Sequence, residues 1–557
     1  MLISNTKEWK ALEAHHQSLA DIKTCQLLKD RERNDCLFKG FDKITIDFSK
    51  QKISANTLEM LFELALSVNL NEKISGLLSG DKVNTTEDRA ALHTALRLPA
   101  EKSLILNGED INSDVQLQLT KMEEIVNRLI NGHWRGFSGK PITDVVNLGV
   151  GGSDLGPLLV CDALDEYEVQ GETGINVHFA STMDGSQISS LFSSLNPETT
   201  LFIVVSKSFT TIDTLTNAET AKQWVLEQCS NEALVSKQHF IGVSASPSKM
   251  EEWGIVAEHQ LLFWEWVGGR FSLWSSVGIC IAIKLGMRNF RLLLQGAHEM
   301  DKHFLSAEFE NNLPVLLGLI SIWNVNFRKI NAQAILPYDA RLAVFPDYLT
   351  QLEMESNGKS VTLNGEAVDY DTCPVLWGEV GPNAQHAFYQ LLHQGTQKVN
   401  CDFIAPVKRF CNTDGEHGKR LKEQHLLTLA NCFAQSRALM LGSSSSEGIS
   451  NKTREESANS TSHRHYPGEQ PSTTILLEEL SAYSLGQLIA LYEHKVYVMA
   501  VLWNINPFDQ WGVELGKVMA EGTLDALSNK GKVDDFDQST NKLIRFINSK
   551  VKDSGGL

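Results

Sequence analysis

The sequence is poor in the features that mark several protein classes. Only nine of its 557 residues are cysteine, widely spaced and without a CxxC pair. A disulfide framework or a thiolate zinc site is therefore not expected, and free thiols fit a reducing compartment. No stretch approaches the roughly 18 consecutive apolar residues of a membrane span. The N-terminal MLISNTKEWKALEAHHQS has no apolar leader core, so a cytoplasmic protein is expected. Positive charge is also short, with a net charge of −18. Such a surface repels a nucleic-acid backbone, although a local cluster of donors could still hold a small anion.

Familiar catalytic signatures are missing too. HExxH, an EF-hand loop and G-x-S-x-G do not occur. ESNGKS (355–360) ends like a phosphate-binding P-loop, but the glycine it needs five positions before Gly358 is Glu353. A G-x-G-x-x-G fingerprint starting at Gly149 and Gly151 fails at Asp154. Metal hydrolysis, serine-triad chemistry and nucleotide hydrolysis thus lack support.

What is present is an ordinary globular mixture, 42% hydrophobic and 21% charged, in a chain long enough for two domains or three. Residues 1 to about 120 read as mostly helical, with helix-spaced apolar residues in TLEMLFELALSVNL (57–70). Short apolar runs follow: TDVVNLGV (143–150), INVHFAST (175–182), TLFIVVSKS (200–208) and HFIGVSAS (239–246). Helix-like stretches lie between them. That alternation argues for a parallel sheet covered on both faces. A second such region holds NAQAILPY (331–338), CPVLWGEV (373–380) and CDFIAPV (401–407). The two regions share no sequence repeat but could share an architecture. The Ser-rich stretch 442–471 reads as a surface excursion, and its His463 and His465 are too few to form a metal site. LSAYSLGQLIALYEHKVYVMAVLWNINPF (480–508) reads as a buried helix or helical hairpin, with its few charges at a polar edge.

Two turns look able to hold an anion. NLGVGGSDLGP (147–157) passes from a strand through glycines into a helix start, where free N–H groups collect. VVSKSFTTIDT (204–214) places Ser206, Ser208, Thr210 and Thr211 within six residues, with Lys207 among them. One hydroxyl would cap a helix; four suit a phosphomonoester. Further dense islands are VGGRFSLWS (267–275), QLEMESNGKS (351–360), GPNAQHAFYQLLHQG (381–395) and FDQWGVELGK (508–517). Individually they are weak. His386 could be a helix cap, and His393, seven residues on, reads as its neighbour on one helix face.

Taken in order, GGSDLGP, SKSFTT, GGRFSLWS, MESNGK, QHAFYQLLHQGT and FDQWGVELGK resemble the phosphoglucose isomerase family, over about residues 50–520. The resemblance implies an α/β fold of two αβα sandwich sugar-isomerase (SIS) domains with parallel sheets, plus helical N-terminal and C-terminal extensions. Boundaries are expected at 1–120 (a helical segment packing on the second domain), 121–287 (first SIS domain), 288–510 (second SIS domain) and 511–557 (helical tail). It implies interconversion of glucose 6-phosphate and fructose 6-phosphate, a homodimer and no metal or cofactor. Neither a nucleic-acid nor a membrane partner is implied. Gly152 and Ser153 match sugar-phosphate contacts, and Ser206, Lys207, Ser208 and Thr211 the phosphate loop. Gln351 and Gln510 match substrate-binding glutamines. Glu355 matches the catalytic base, Arg270 the arginine near the reacting carbons, His386 the ring-opening histidine and Lys517 its assisting lysine. Family dimers share that histidine across their interface. Two departures stand out: Ser208 replaces a frequent Thr, and Asp213 replaces a Glu thought to support the histidine.

These residue types suit the chemistry. Histidine titrates in the range needed to move a proton during ring opening. A carboxylate can carry a proton between C2 and C1, and a permanently charged guanidinium can stabilise the enediolate between them. A metal-dependent hydride shift would need a ligand cluster that the sequence does not offer. A non-catalytic sugar-phosphate sensor could dispense with Glu355, His386 and Lys517, all of which are present.

Overall fold

The computed structural model describes residues 2–168, 174–409, 415–443, 463–528 and 535–553. The chain forms two compact units, Met1–Pro507 and Phe508–Leu557. The first holds two large sheets and a two-stranded one, Ile105–Leu106 with Glu109–Asp110. Most of the Ser-rich excursion, 444–462, lies outside the described residues.

The N-terminal stretch is mostly helical but contributes a hairpin that the sequence reading did not anticipate. Its strands are β1 (Phe38–Phe41) and β2 (Ile44–Asp47). The first sheet contains β3 (Asp144–Leu148), β4 (Asn176–Ala180), β5 (Thr200–Val205), β6 (Phe240–Ser244) and β7 (Gln260–Leu262). It is parallel throughout, in the order β4-β3-β5-β6-β7. Leu148 pairs with Ala180 on one side and Val204 on the other. Every residue of β5 is buried, which explains why its sequence is an unbroken apolar run rather than an alternating one.

The second sheet contains β8 (Ala332–Pro337), β9 (Val375–Gly378), β10 (Asn400–Lys408) and β11 (Ser472–Glu479). Its order is β1-β2-β11-β10-β8-β9. The last four strands are parallel, and β2 joins β11 antiparallel. Within each region the first strand has the second on one side and the third on the other. The two regions therefore share an architecture.

Helices cover both sheets. Those used below are α1 (Leu155–Ala163), α2 (Ile212–Leu226), α3 (Met287–Ser306), α4 (Leu313–Ile322) and α5 (Ala482–Trp503). The 480–508 stretch is thus one long helix. Its charges are not at a polar edge: Glu493, His494 and Lys495 are at most 1% exposed. Buried charges persist only when paired, and these are. Arg97 donates to Glu493 at 2.7 Å and to both oxygens of Asp301, while His494 meets Asp301 at 2.7 Å. Burial works to raise the Asp301 carboxyl, yet Arg97 and His494 bring it down to about 2.

The helices α3 and α5 lie backbone to backbone. A methyl group at Gly486 would collide with the Leu293 carbonyl oxygen, and one at Gly296 with that of Tyr483. Gly486→Ala is expected to destabilise the protein by about 1–3 kcal/mol, the usual penalty of overpacking. A urea-unfolding midpoint below that of the parent checks this.

Candidate active site

In an open parallel sheet, ligands bind beyond the carboxyl ends of the strands, where the strand order reverses. In the first sheet that point lies between β3 and β5. The loop leaving β3 is the glycine turn 149–154, and the loop leaving β5 is the hydroxyl loop 206–211. Topology thus sets the two anion-binding motifs side by side.

The glycine turn is held from below by Asn147, a buried polar residue between Val146 and Leu148 of β3, whose amide donates to the Ser153 carbonyl at 3.1 Å. Gly151 has φ +61, in the left-handed region that favours glycine. A side chain at Gly152 would strike the Gly269 carbonyl, and the Ser272 hydroxyl donates to the Gly152 carbonyl at 3.3 Å. The turn therefore lies against the segment carrying Arg270. On its other flank, a Cβ at Gly151 would lie 3.0 Å from the amide nitrogen of Gln351.

The hydroxyl loop is not used as a helix cap. Thr211 occupies the N-cap of α2 without a side-chain capping bond. Instead the hydroxyls pair with one another, Ser206 with Thr211 at 2.9 Å and Ser208 with Thr210 at 2.6 Å. Lys207 points elsewhere. Its ammonium donates to the carbonyls of Glu265 and Val267, each at 2.9 Å, and burial lowers its pKa.

Arg270 and Glu355 form the centre of the site. Arg270 is buried in the 3-10 helix Gly269–Trp274, and Glu355 closes the π-helical turn Thr350–Glu355. Arg270 Nη1 donates to Glu355 Oε1 at 2.8 Å, and Gln351 Nε2 donates to Glu355 Oε2 at 2.9 Å. Among the described residues each carboxylate oxygen thus has one side-chain donor. Arg270 is itself fixed by Ser356, whose hydroxyl accepts from Nε at 2.6 Å, and by the Pro507 carbonyl. Lys359 caps the turn through the carbonyls of Glu355 and Ser356, both at 2.9 Å. The sequence reading missed Ser356 and Asn147. The polar interruption of DVVNL was the available sign of the latter.

The chain belongs to the phosphoglucose isomerase family. The phosphoglucose isomerase family model matches residues 47–544. The glucose-6-phosphate isomerase of Hydrogenovibrio crunogenus is 54% identical over 548 residues, spanning 98% of this chain and 99% of that protein. That of Psychrobacter cryohalolentis is 54% identical over 547 residues, spanning 98% of this chain and 97% of its own. A crystal structure of a glucose-6-phosphate isomerase from Chlamydia trachomatis matches with a TM-score of 0.83 at 28% identity, covering 99% of this chain and 100% of that one.

The remaining family positions are carried by other elements. His386 is exposed, in the turn between the helices Gly381–Ala384 and Tyr389–Gln394. His386 and His393 therefore do not share a helix face. The chain leaves helical geometry at Phe388 (φ −124, ψ 2), which separates the two histidines. His393 is structural, bonded to Gln435 at 3.0 Å. The His386 ring has no hydrogen-bond partner among the described residues, and Asp213, in the first turn of α2, does not reach it. Gln510 and Lys517 belong to the second unit. Gln510 precedes the 3-10 turn Trp511–Val513, and Lys517 lies on helix α6 (Glu514–Leu527), paired with Glu514 at 3.0 Å.

Asp154, at the end of the glycine turn, is 5% exposed, and its Oδ1 has no hydrogen-bond partner among the described residues. Burial raises its carboxyl to about 7, against about 3.9 in an unfolded chain. Between these values the folded protein keeps a proton that the unfolded chain has released. The residue's contribution to stability is therefore complete below pH ~4 and is lost as pH rises through ~7. Asp154→Asn stays neutral. Its thermal midpoint is expected to match the parent near pH ~4 and to exceed it increasingly towards pH ~8. Midpoints of both proteins across that range check this.

Proposed function

We propose that this chain interconverts glucose 6-phosphate and fructose 6-phosphate, a step of glycolysis and gluconeogenesis, by ring opening followed by proton transfer between C2 and C1. The observation that carries this reading is Glu355, held by Arg270 and Gln351 beside the glycine turn at the reversal point of the first sheet. The substrate's phosphate takes the hydroxyls of Ser206, Ser208 and Thr211 and the backbone of the 206–211 loop. Gly152, Ser153, Gln351 and Gln510 contact the sugar. Anchoring the far end in this way positions the reacting carbons.

His386 and Lys517 move a proton from the C1 hydroxyl to the ring oxygen, which breaks the C1–O5 bond and leaves the open-chain aldehyde. The Glu355 carboxylate then takes the C2 proton. The electron pair moves into a C1–C2 double bond and the carbonyl oxygen becomes the enediolate oxygen, which the fixed charge of Arg270 stabilises. Glu355 then returns its proton to C1, which takes the double-bond pair, while the C2 hydroxyl proton passes to O1 and the electrons of that O–H bond close the C2 carbonyl, giving the ketose. No step calls for a metal or cofactor.

The exposed, unpartnered ring of His386 supports a homodimer in which each protomer lends this histidine to its partner's site. Exposed apolar side chains on helix α7 (Gln538–Asp553), Leu543, Phe546 and Ile547, also favour self-association. The absence, among the described residues, of any helix long and apolar enough to cross a membrane is compatible with a cytoplasmic place.

Glu355→Gln keeps the shape of the base and removes its basicity. It is expected to lower kcat by about 10²–10⁴-fold with little change in KM. Near-parental turnover, or undiminished exchange of C2-bound tritium with solvent, would refute the assignment. The phosphate assignment rests on a second comparison: free glucose is expected to isomerise with kcat/KM lower by several orders of magnitude than its phosphate ester. Equal efficiencies would remove that assignment.

A further inference from the structure

The turn that carries Glu355 has two faces. Gln351 and Glu355, four residues apart, share the one that meets Arg270. Glu353 lies midway between them and points the opposite way, into the core, where it is 1% exposed. There its Oε2 accepts from the Lys495 ammonium at 2.7 Å. Its other oxygen has no hydrogen-bond partner among the described residues, so among these the Lys495 ammonium is the polar hold on this carboxylate.

Lys495 is fully buried in the middle of α5 and is itself fixed. It donates to the Gln333 side chain on β8 at 3.1 Å. The Gln333 amide donates to Asp402 on β10 at 2.7 Å, and the Tyr492 hydroxyl donates to the same oxygen at 2.8 Å. The ammonium is thus tied to two strands of the second sheet. Two residues earlier on α5, Glu493 accepts from Trp274 Nε1 at 2.8 Å, and Trp274 ends the 3-10 helix carrying Arg270. One helix therefore fixes both segments that deliver the Arg270–Glu355 pair.

We propose that Lys495 is a positioning residue for the reaction: through its ion pair with Glu353 it sets where the Glu355 carboxylate stands. This rests on the reading of Glu355 as the base. A buried ion pair is weak evidence of stabilisation, because a well-packed apolar pair can replace it at little loss. Its value here is geometric. A proton-transfer base displaced by an ångström loses about a hundredfold in rate, whereas the phosphate, held on the first sheet, would not sense that displacement.

The test uses the full-length Glu353→Met/Lys495→Met variant, which removes both charges and keeps the volume. We expect a thermal midpoint close to the parent, a KM for fructose 6-phosphate within about twofold, and a kcat lower by about 10–100-fold. Lys495→Arg keeps a cation in reach of Glu353 and is expected to retain kcat within about threefold of the parent. A double variant with parental kcat overturns the proposal, as does a folded Lys495→Arg as slow as the double variant. If the double variant does not fold, Glu353→Gln decides: kcat reduced severalfold at constant KM supports the proposal, and parental kcat overturns it. Activity surviving in Glu355→Gln would instead sink the base assignment, whatever Lys495 does.

Discussion

A carboxylate that must carry a proton back and forth needs opposing conditions. It has to stay charged and in place, yet neither oxygen can be locked in a bond too strong to release. On the proposed reading Glu355 is that carboxylate, with one guanidinium on one oxygen and one neutral amide on the other. The guanidinium is held further by Ser356, which accepts from Nε, and by the Pro507 carbonyl, which accepts from Nη2. The glycine turn can approach this pair only because Gly151 and Gly152 lack side chains. Much of the surrounding packing, down to the buried charges of α5, serves to bring these parts within bonding distance.

The two sheets repeat one topology, yet the glycine turn and the hydroxyl loop both lie on the first. The first region carries the glycine turn and the hydroxyl loop at the ends of β3 and β5. The second contributes the π-helical turn 350–355, between β8 and β9. A shared architecture therefore does not predict shared roles. The first region presents backbone N–H groups and hydroxyls, suited to an anion. The second presents a titratable side chain, suited to proton transfer. On the proposed reading, this separation lets phosphate recognition and base geometry be adjusted independently.

The sequence made the site motifs readable because each is a dense local island, and the buried strands readable because TLFIVV and its neighbours are unbroken apolar runs. Other features could not be read. The strand β11 has the sequence STTILLEE, whose polar ends hide it. The hairpin β1–β2 is too short, at four residues a strand, to show a period. Glu493, His494 and Lys495 resemble a solvated edge, because their partners Arg97, Asp301 and Glu353 come from distant parts of the chain. The helical spacing of His386 and His393 misled because the chain leaves helical geometry at Phe388.

The seating of β2 against β11 has a consequence for synthesis. Asp47 pairs with Thr474, so the hairpin leaves the ribosome roughly 400 residues before its partner strand exists. At roughly 5–20 residues per second, that is an interval of about 20–80 seconds. For that time the hairpin is an open sheet edge, the kind of surface that pairs with other chains. The last parallel strand must arrive before the sheet can close, which makes the N-terminal segment among the first parts made and among the last to reach its final place.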